Sequence, residues 1–381
     1  MPQISDVVAA SAQAVSVRYN SLVYDLHRRG EKVIVLSLGE AFFDVPLYPM
    51  DDLPYPELYH YSHSRGIFEL REKIAAYYAG HFGVHVDPEA ELLVTAGSKA
   101  AIHFAMMAVL NPGDEVLMRE PLWVSYPEQT KLCHGVPVQL PYTATVEDYE
   151  RNLTDRTRLM IVNNPNNPCG SVLSEREVRY LADLARSADI YLLADEAYGD
   201  FAIREPFIST GVYDEDKSHT IICNSISKTF GISGWRIGYA ISNPTLVDNL
   251  LKINQHVITC APTILQQYMA KHFEDVVEIA DPQIREVVEK REEVARYLDS
   301  VGLDYLKGSS TFYLFVSIAP TKLTSEEFCT RLLEEERVAV VPGSGYGRSC
   351  DAFVRVSVGA EPTEEIRTAI DRMRGLVDRT S

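Results

Sequence analysis

Residues 225–240 read SISKTFGISGWRIGYA and directly follow an apolar run, TIIC. The stretch places one lysine, Lys228, among hydroxyl-bearing side chains, with three glycines after it. A lysine near a helix start ordinarily extends its ammonium group to solvent. A lysine withdrawn from water instead has a lowered pKa and can act as a nucleophile or a base. This stretch alone leaves both interpretations open.

Apolar runs that read as strands alternate with helical runs from about residue 90 to residue 240. They include ELLVTAG, DEVLMRE, VPVQLPY, RLMIV, IYLLAD and TIICNS. Between them, SKAAIHFAMMAVLN predicts a helix that begins at Ser98, and Ser174 with Glu177 forms a capping-box pattern. This alternation predicts an α/β fold with a parallel sheet covered on both faces. Functional side chains are then expected at the carboxyl ends of the strands.

The last hundred residues have a different pattern. DPQIREVVEKREEVARYLDSVG predicts a long charged helix, and it is followed by strand-like runs such as TFYLFVSIA and AFVRVSVG. We predict three regions. Residues 1–45 form an N-terminal arm and part of a small domain, residues 46–281 a large domain, and residues 282–381 the small α+β domain.

Composition excludes some functional classes. The 381 residues carry a net charge of -18, which disfavours nucleic acid and anionic membrane surfaces as partners. The N-terminus shows no secretory signal pattern, and the six cysteines are scattered without a CxxC pair. We therefore expect a cytoplasmic protein with reduced thiols.

Polar residues follow several of the predicted strands. Gly97 allows a turn and Ser98 begins a helix, which is either an ordinary capped helix start or an N-terminus that binds an anion such as phosphate. Asp195 ends an apolar run, so its buried carboxylate needs either a salt-bridge partner or a cationic ring nitrogen. Lys228 supplies an amine, and Arg236 a second anion contact. Pyridoxal 5′-phosphate requires this combination of groups.

The lysine stretch resembles the motif S-x-S-K-x-x-x-x-x-G-x-R-x-G of the class I/II aminotransferases, the fold-type I enzymes that use pyridoxal 5′-phosphate. The resemblance extends from LSLGEAFFDVP to FVRVSVG. It implies a large domain with a mostly parallel seven-stranded sheet between helices, plus a smaller α+β domain. It also implies that Lys228 forms the Schiff base with the cofactor, and that Ser225 and Arg236 bind its phosphate.

Other segments match the family in order and spacing. NNPNNPCG resembles N-P-x-N-P-T-G, which implies that Asn167 bonds the O3′ atom of the cofactor and also contacts substrate. In DEAYGDF, Asp195 is implied to pair with the ring nitrogen and Tyr198 to reach O3′ as a catalytic residue. PLWVSY implies that Trp123 stacks on the ring.

The resemblance also assigns the anion contacts. Gly97, Ser98 and Lys99 fall on the loop that holds the phosphate. Arg355 in FVRVSVG falls on the arginine that binds the substrate α-carboxylate, for which a bidentate guanidinium is suited. Gly39 falls on a backbone contact to the same carboxylate.

YHYSHSRGIFELR places Tyr61 where the family has a tyrosine that reaches the phosphate of the partner subunit. The resemblance therefore implies a homodimer. His60 and His63 offer an alternative interpretation as a metal pair, but no third ligand lies near them in sequence.

The expected activity is transfer of an amino group from an L-amino acid to a 2-oxo acid by a ping-pong mechanism. Three departures from the family pattern leave the substrate open. Cys169 replaces a threonine, Ala41 and Phe42 replace the residues of a G-E-P-D-F-D segment, and Ser310 with Thr311 replaces a Gly-Ala pair.

The amino donor remains open. Lys99 stands where some relatives have a lysine for a distal carboxylate, and Ser16, Arg18 and Tyr19 lie in the segment that usually covers the substrate. An acidic, aromatic or specialised amino acid is compatible with these residues. The same scaffold also supports lyase, cyclase and decarboxylase reactions.

Two further alternatives come from other functional classes. VVPGSGYGR is a glycine-rich loop after a strand, but it lacks the G-x-G-x-x-G spacing and the βαβ unit of a nicotinamide dehydrogenase. A non-catalytic binding protein on the same fold would usually need an added basic segment, which residues 1–30 do not supply.

Overall fold

The computed structural model describes residues 2–51, 53 and 56–381. The strands are β1 (Ile34–Val35), β2 (Leu92–Thr95), β3 (Glu115–Arg119), β4 (Val136–Leu140), β5 (Thr157–Asn163), β6 (Tyr191–Asp195), β7 (Thr220–Ser225), β8 (Gly238–Ile241), β9 (Tyr305–Leu306), β10 (Tyr313–Ser317), β11 (Val338–Ala339), β12 (Val341–Pro342) and β13 (Phe353–Ser357). The helices are α1 (Asp6–Ala9), α2 (Val15–Arg28), α3 (Phe68–Phe82), α4 (Ser98–Val109), α5 (Tyr126–Leu132), α6 (Glu147–Arg151), α7 (Glu175–Ala188), α8 (Ile226–Thr229), α9 (Pro244–Val257), α10 (Thr263–Ser300), α11 (Ser325–Glu336) and α12 (Thr363–Thr380).

Seven strands of the described residues form the large sheet in the order β2-β8-β7-β6-β5-β3-β4. Neighbours from β7 to β4 are parallel, and only β8 runs antiparallel to both of its neighbours. The central strands are apolar and buried on both faces, as covering helices require. This confirms the expected mostly parallel seven-stranded sheet. The carboxyl ends of β5, β6 and β7 lie at one edge.

Two predicted helix starts are confirmed. α4 begins at Ser98. α7 begins with a complete capping box, in which Ser174 accepts from the backbone N–H of Glu177 and the Glu177 carboxylate accepts from the backbone N–H of Ser174.

The C-terminal region forms a four-stranded antiparallel sheet, β12-β13-β10-β9. In the N-terminal segment, the two-residue strand β1 pairs in parallel with β11. This pairing joins the N-terminal segment to the C-terminal region. The boundaries at residues 45 and 281 remain a prediction.

The long helix α10 begins at Thr263, well before the predicted start at residue 281. Pro282 in the sequence favours a helix start, because proline lacks the N–H that a helix interior uses. The structure instead keeps Pro282 inside the helix and has non-helical backbone angles at His272. Buried residues on both sides of Pro282, such as Val276 and Val287, pack into different hydrophobic clusters, so burial outweighs the lost hydrogen bond. Among the described residues, no helix is both long and apolar enough to cross a membrane.

Candidate active site

Most of the predicted site residues meet in one cavity of about 450 Å³ at the carboxyl edge of the large sheet. Those that line it are Gly39, Ser98, Lys99, Trp123, Asn167, Asp195, Tyr198, Ser225, Lys228, Arg236 and Arg355. Gly97 lies directly under the Arg236 guanidinium, while Tyr61 lies outside the cavity and is 85% exposed. The convergence follows from the sheet, because parallel strands deliver their carboxyl ends to one edge.

Lys228 lies on the short helix α8, immediately after strand β7. Its Nζ atom donates a hydrogen bond to the carbonyl oxygen of Gly39. Burial lowers the pKa of Lys228 to about 8, opposed mainly by the carboxylate of Glu40. The structure therefore places the Lys228 ammonium group inside the protein rather than in solvent.

Asp195 ends strand β6 and is 6% exposed. Burial raises its pKa to about 6, while a hydrogen bond from the Tyr126 hydroxyl to Oδ2, at 2.6 Å, lowers it. The second oxygen accepts from the backbone N–H of Ala197 at 3.3 Å. No cationic side chain of the described residues forms a salt bridge with Asp195, so the simple salt-bridge interpretation is not supported.

A cradle for an anion forms where α4 begins. The first N–H groups of a helix lack partners within it and point outward. A Cβ atom at Gly97 would overlap the guanidinium of Arg236, and one at Gly238 would overlap the backbone at Ser98. These two glycines therefore let the arginine and a neighbouring strand approach the helix start closely, as a phosphate site requires.

The remaining cofactor residues are arranged around this cradle. The Ser225 hydroxyl accepts from the backbone N–H of Ser227 and donates to the carbonyl of Ile237 at 3.2 Å. The Lys99 ammonium lies 5.0 Å from the centre of the Trp123 ring. Burial, then the charge of Arg236, lowers the pKa of Lys99.

A second set of polar side chains that line the cavity is linked by hydrogen bonds. The Asn167 amide donates to the Tyr198 hydroxyl at 3.4 Å, and that hydroxyl lies 3.0 Å from the hydroxyl of Tyr313. Arg355 is 3% exposed, donates to the carbonyl of Ser37 at 2.8 Å and to Asn167 at 3.3 Å, and lies over the Tyr313 ring. Its Nε atom is buried and has no hydrogen-bond partner among the described residues.

Tyr126, Tyr313 and Glu40 also belong to this site, although no sequence pattern assigned them to it. Tyr126 and Tyr313 act through contacts with residues distant in sequence, which no local pattern reports. Glu40 directly follows Gly39 and lines the cavity, so its position beside a predicted contact was an available signal.

The N-terminal segment contributes less than expected. Ser16 and Asn20 line the cavity, one helical turn apart on α2. Arg18 instead pairs with Glu326 at 2.9 Å, and the buried Tyr19 hydroxyl donates to the carbonyl of the same glutamate.

The residues that depart from the family pattern lie around the site and do not line the cavity. The Cys169 thiol donates to Asn166 at 3.0 Å. Ser310 and Thr311 are fully buried, and Thr311 has a φ of 65°, which is rare for a β-branched residue. Ala41 is buried, whereas Phe42 is 62% exposed.

Two alternative sites find no support. His60 and His63 belong to no cluster of potential metal ligands within the described part of the chain. At the end of the glycine-rich loop, the N–H groups of Arg348 and of the following Ser349 donate to the Glu120 carboxylate at 2.9 and 2.8 Å, so these two groups are already used within the protein.

Comparison with known proteins agrees with this geometry. Residues 51–373 match the family model "Aminotransferase class I and II". The chain is 33% identical to an aromatic-amino-acid aminotransferase of Thermococcus litoralis, over 92% of this chain and 93% of that protein. It is also 33% identical to an aspartate aminotransferase of Pyrococcus abyssi, with the same coverage of both chains. The solved aspartate aminotransferase of Thermus thermophilus with maleate superimposes with a TM-score of 0.91 at 30% identity, covering 99% of this chain and 100% of that one.

The chain therefore belongs to the class I and II aminotransferase family. It is an enzyme that depends on pyridoxal 5′-phosphate and transfers an amino group between amino acids and 2-oxo acids. The residues present fit that cofactor. The cradle at Gly97 suits its phosphate, the buried Asp195 suits its ring nitrogen, and the unpartnered Arg355 Nε suits a substrate carboxylate.

Proposed function

We propose that this cavity is the transamination site and that Lys228 is its central catalytic residue. The observation that carries the proposal is a cavity amine whose pKa lies near 8, in the same cavity as Asp195, Arg236 and Arg355. Bound pyridoxal 5′-phosphate supplies an aldehyde that takes the amino group and a ring that withdraws electrons from the substrate Cα. Lys228 Nζ would hold the cofactor through that aldehyde, and its amine would carry the proton removed from the substrate Cα.

The other side chains hold the reactants. Arg236, Ser225 and the N-terminus of α4 bind the phosphate, and Trp123 covers the ring. The Asp195 carboxylate keeps the ring nitrogen protonated, since an adjacent cation also favours its own ionised form.

The second set of polar side chains orients the ring and the substrate. Asn167 and Tyr198 bond the ring hydroxyl, and Tyr198 joins Asp195 and Lys228 as a proposed catalytic residue. Arg355 binds the α-carboxylate of the substrate with the backbone of Gly39.

We propose further that the substrate carries an acidic side chain. Arg236 and Arg355 are assigned to the phosphate and the α-carboxylate, which leaves the Lys99 ammonium in the cavity. No carboxylate of the described residues forms a salt bridge with Lys99. A second carboxylate on the substrate would pair with this positive charge.

The proposed assembly is a homodimer in which Tyr61 reaches the site of the partner subunit. Residues 42–61 expose several large apolar side chains, namely Phe42, Leu47, Tyr59 and Tyr61. Such exposure is typical of a surface that another chain covers.

The proposed location is the cytoplasm. The six cysteines, all of which are free, support this location.

Exchange of Lys99 for glutamine tests the substrate assignment. Loss of a charged hydrogen bond of about 1.5–3 kcal/mol should lower kcat/KM for L-glutamate or L-aspartate about 10- to 150-fold, and leave a neutral amino acid nearly unaffected. Lys131→Gln is the matched control, because Lys131 pairs with Glu128 outside the cavity. Equal losses for acidic and neutral donors would contradict the assignment and place Lys99 with the cofactor instead.

A further inference from the structure

Arg291 is a fully buried cation outside the cavity. It lies on α10, its side chain is 0% exposed, and its Nη1 atom pairs with the neighbouring Glu292 at 2.7 Å. Burying a guanidinium group is costly unless its remaining N–H groups are bonded. The contacts of its other nitrogens therefore indicate what the residue does.

Those nitrogens join two separate segments of the chain. Arg291 Nε donates to the carbonyl of Tyr313 at 2.9 Å, and Nη2 donates to the carbonyl of Cys169 at 3.2 Å. Tyr313 begins strand β10, whereas Cys169 lies in the turn after strand β5. The planar guanidinium thus holds two carbonyls at a fixed separation, which a lysine ammonium cannot reproduce.

The two segments are packed backbone to backbone beside this arginine. The N–H groups of Ser309 and Ser310 both donate to the carbonyl of Gly170 at 3.0 Å. A Cβ atom at Gly170 would overlap the backbone of Ser310. These backbone contacts hold the two segments together beside Arg291.

Each of the two segments carries a side chain that contacts the hydroxyl group of Tyr198. The turn carries Asn167, whose amide donates to the Tyr198 hydroxyl, and β10 begins with Tyr313, whose hydroxyl lies 3.0 Å from it. We propose that Arg291 is a positioning residue: it fixes the spacing between Asn167 and Tyr313 and so holds the Tyr198 phenol in place for the cofactor. This proposal rests on the role assigned to Tyr198 in the proposed function.

The test compares the holoenzyme with its Arg291→Lys variant. Lysine retains the positive charge but lacks the planar guanidinium that bonds two carbonyl groups at once. Arg285→Lys is the matched control, because Arg285 lies on the same helix, is exposed and pairs with Asp281. We expect kcat to fall about tenfold or more, since small misplacements at a site are costly, with a smaller change in KM for the donor. The pH midpoint of the visible absorbance of the lysine-bound cofactor should shift in the same direction as in Tyr198→Phe.

A double variant separates positioning from a structural role. If Arg291 acts through Tyr198, adding Arg291→Lys to Tyr198→Phe should cost little further activity. Additive losses would overturn the proposal, as would a lower melting temperature with unchanged kcat and an unchanged absorbance midpoint. A failure of the proposed function can be distinguished from a failure of this proposal. If the proposed function is wrong, Lys228→Ala will retain activity, and that result does not depend on the Arg291 variants.

Discussion

At the scale of single residues, the proposed chemistry depends on the carboxylate of Asp195 and the amine of Lys228. Burial shifts the pKa values of these two groups in opposite directions. Burial raises the pKa of Asp195 to about 6 and lowers that of Lys228 to about 8. Asp195 is therefore only moderately acidic before the cofactor binds, and the Tyr126 hydroxyl is the largest interaction that favours its ionised form.

Exchange of Tyr126 for phenylalanine should weaken cofactor binding in a pH-dependent way. Without the hydroxyl, the pKa of Asp195 rises further, so more of the carboxyl is protonated near neutral pH and cannot pair with the ring nitrogen. The dissociation constant of the cofactor should rise most at pH 6–7 and less at pH 8–9, where the carboxyl is again ionised. Equilibrium dialysis across this range measures the effect.

Tyr149→Phe is the control for that measurement. Tyr149 is also buried, but its hydroxyl bonds the Ile161 carbonyl, away from Asp195. Equal cofactor affinity of Tyr126→Phe and the unaltered enzyme at every pH would show that Tyr126 does not support the carboxylate.

At the scale of elements, hydrogen bonds hold a loop of the C-terminal region, residues 346–349, against the segment that follows strand β3 of the large sheet. The Glu120 carboxylate, just after β3, accepts from the N–H groups of Arg348 and Ser349. The N–H of Leu122 donates to the carbonyl of Tyr346 at 2.9 Å. Gly347 makes this close approach possible, because its φ is 137° and a Cβ atom there would overlap the Glu120 carboxylate.

Replacement of Gly347 by alanine should therefore destabilise the protein by about 2–4 kcal/mol through backbone strain and overlap. Gly80→Ala is the opposite control. Gly80 is an exposed glycine within α3, and a Cβ atom there would have no neighbouring atom within 4 Å, so alanine should stabilise the helix by about 0.5–1 kcal/mol. Urea denaturation measures both changes. A stability for Gly347→Ala equal to that of the unaltered protein would contradict the described loop packing.

The elements also show which features the sequence can predict. Asp195 and Lys228 were predictable because each follows an apolar strand, and parallel strands bring such positions together. Tyr126 and Tyr313 were not, because their importance arises from partners 69 and 115 residues away. The start of α10 was mispredicted because the local signal of Pro282 is outweighed by burial along the helix.

At the scale of the whole molecule, the remaining proposal concerns assembly. The Tyr61 hydroxyl lies outside the cavity of its own chain, and its side chain is 85% exposed. A role for Tyr61 at a phosphate therefore requires a second copy of the chain. The predicted mass in solution is about twice the 42.7 kDa of one chain.

Sedimentation analysis and cofactor titration of Tyr61→Phe test this assembly together. The variant should remain a dimer but bind the cofactor about 10- to 150-fold more weakly, as loss of a hydrogen bond to a charged group predicts. Tyr24→Phe, at another exposed tyrosine, should bind it normally. A monomeric enzyme with full activity would contradict the shared site.

The most direct test of the central claim follows the visible absorbance of the cofactor-loaded enzyme during addition of an acidic L-amino acid without an acceptor. We predict that the visible band is lost, that about one 2-oxo acid forms per site, and that a 2-oxo acid restores the band. Lys228→Ala should show neither conversion. A band that no amino acid changes, or near-normal conversion by Lys228→Ala, would contradict the assignment of Lys228 as the catalytic residue of transamination.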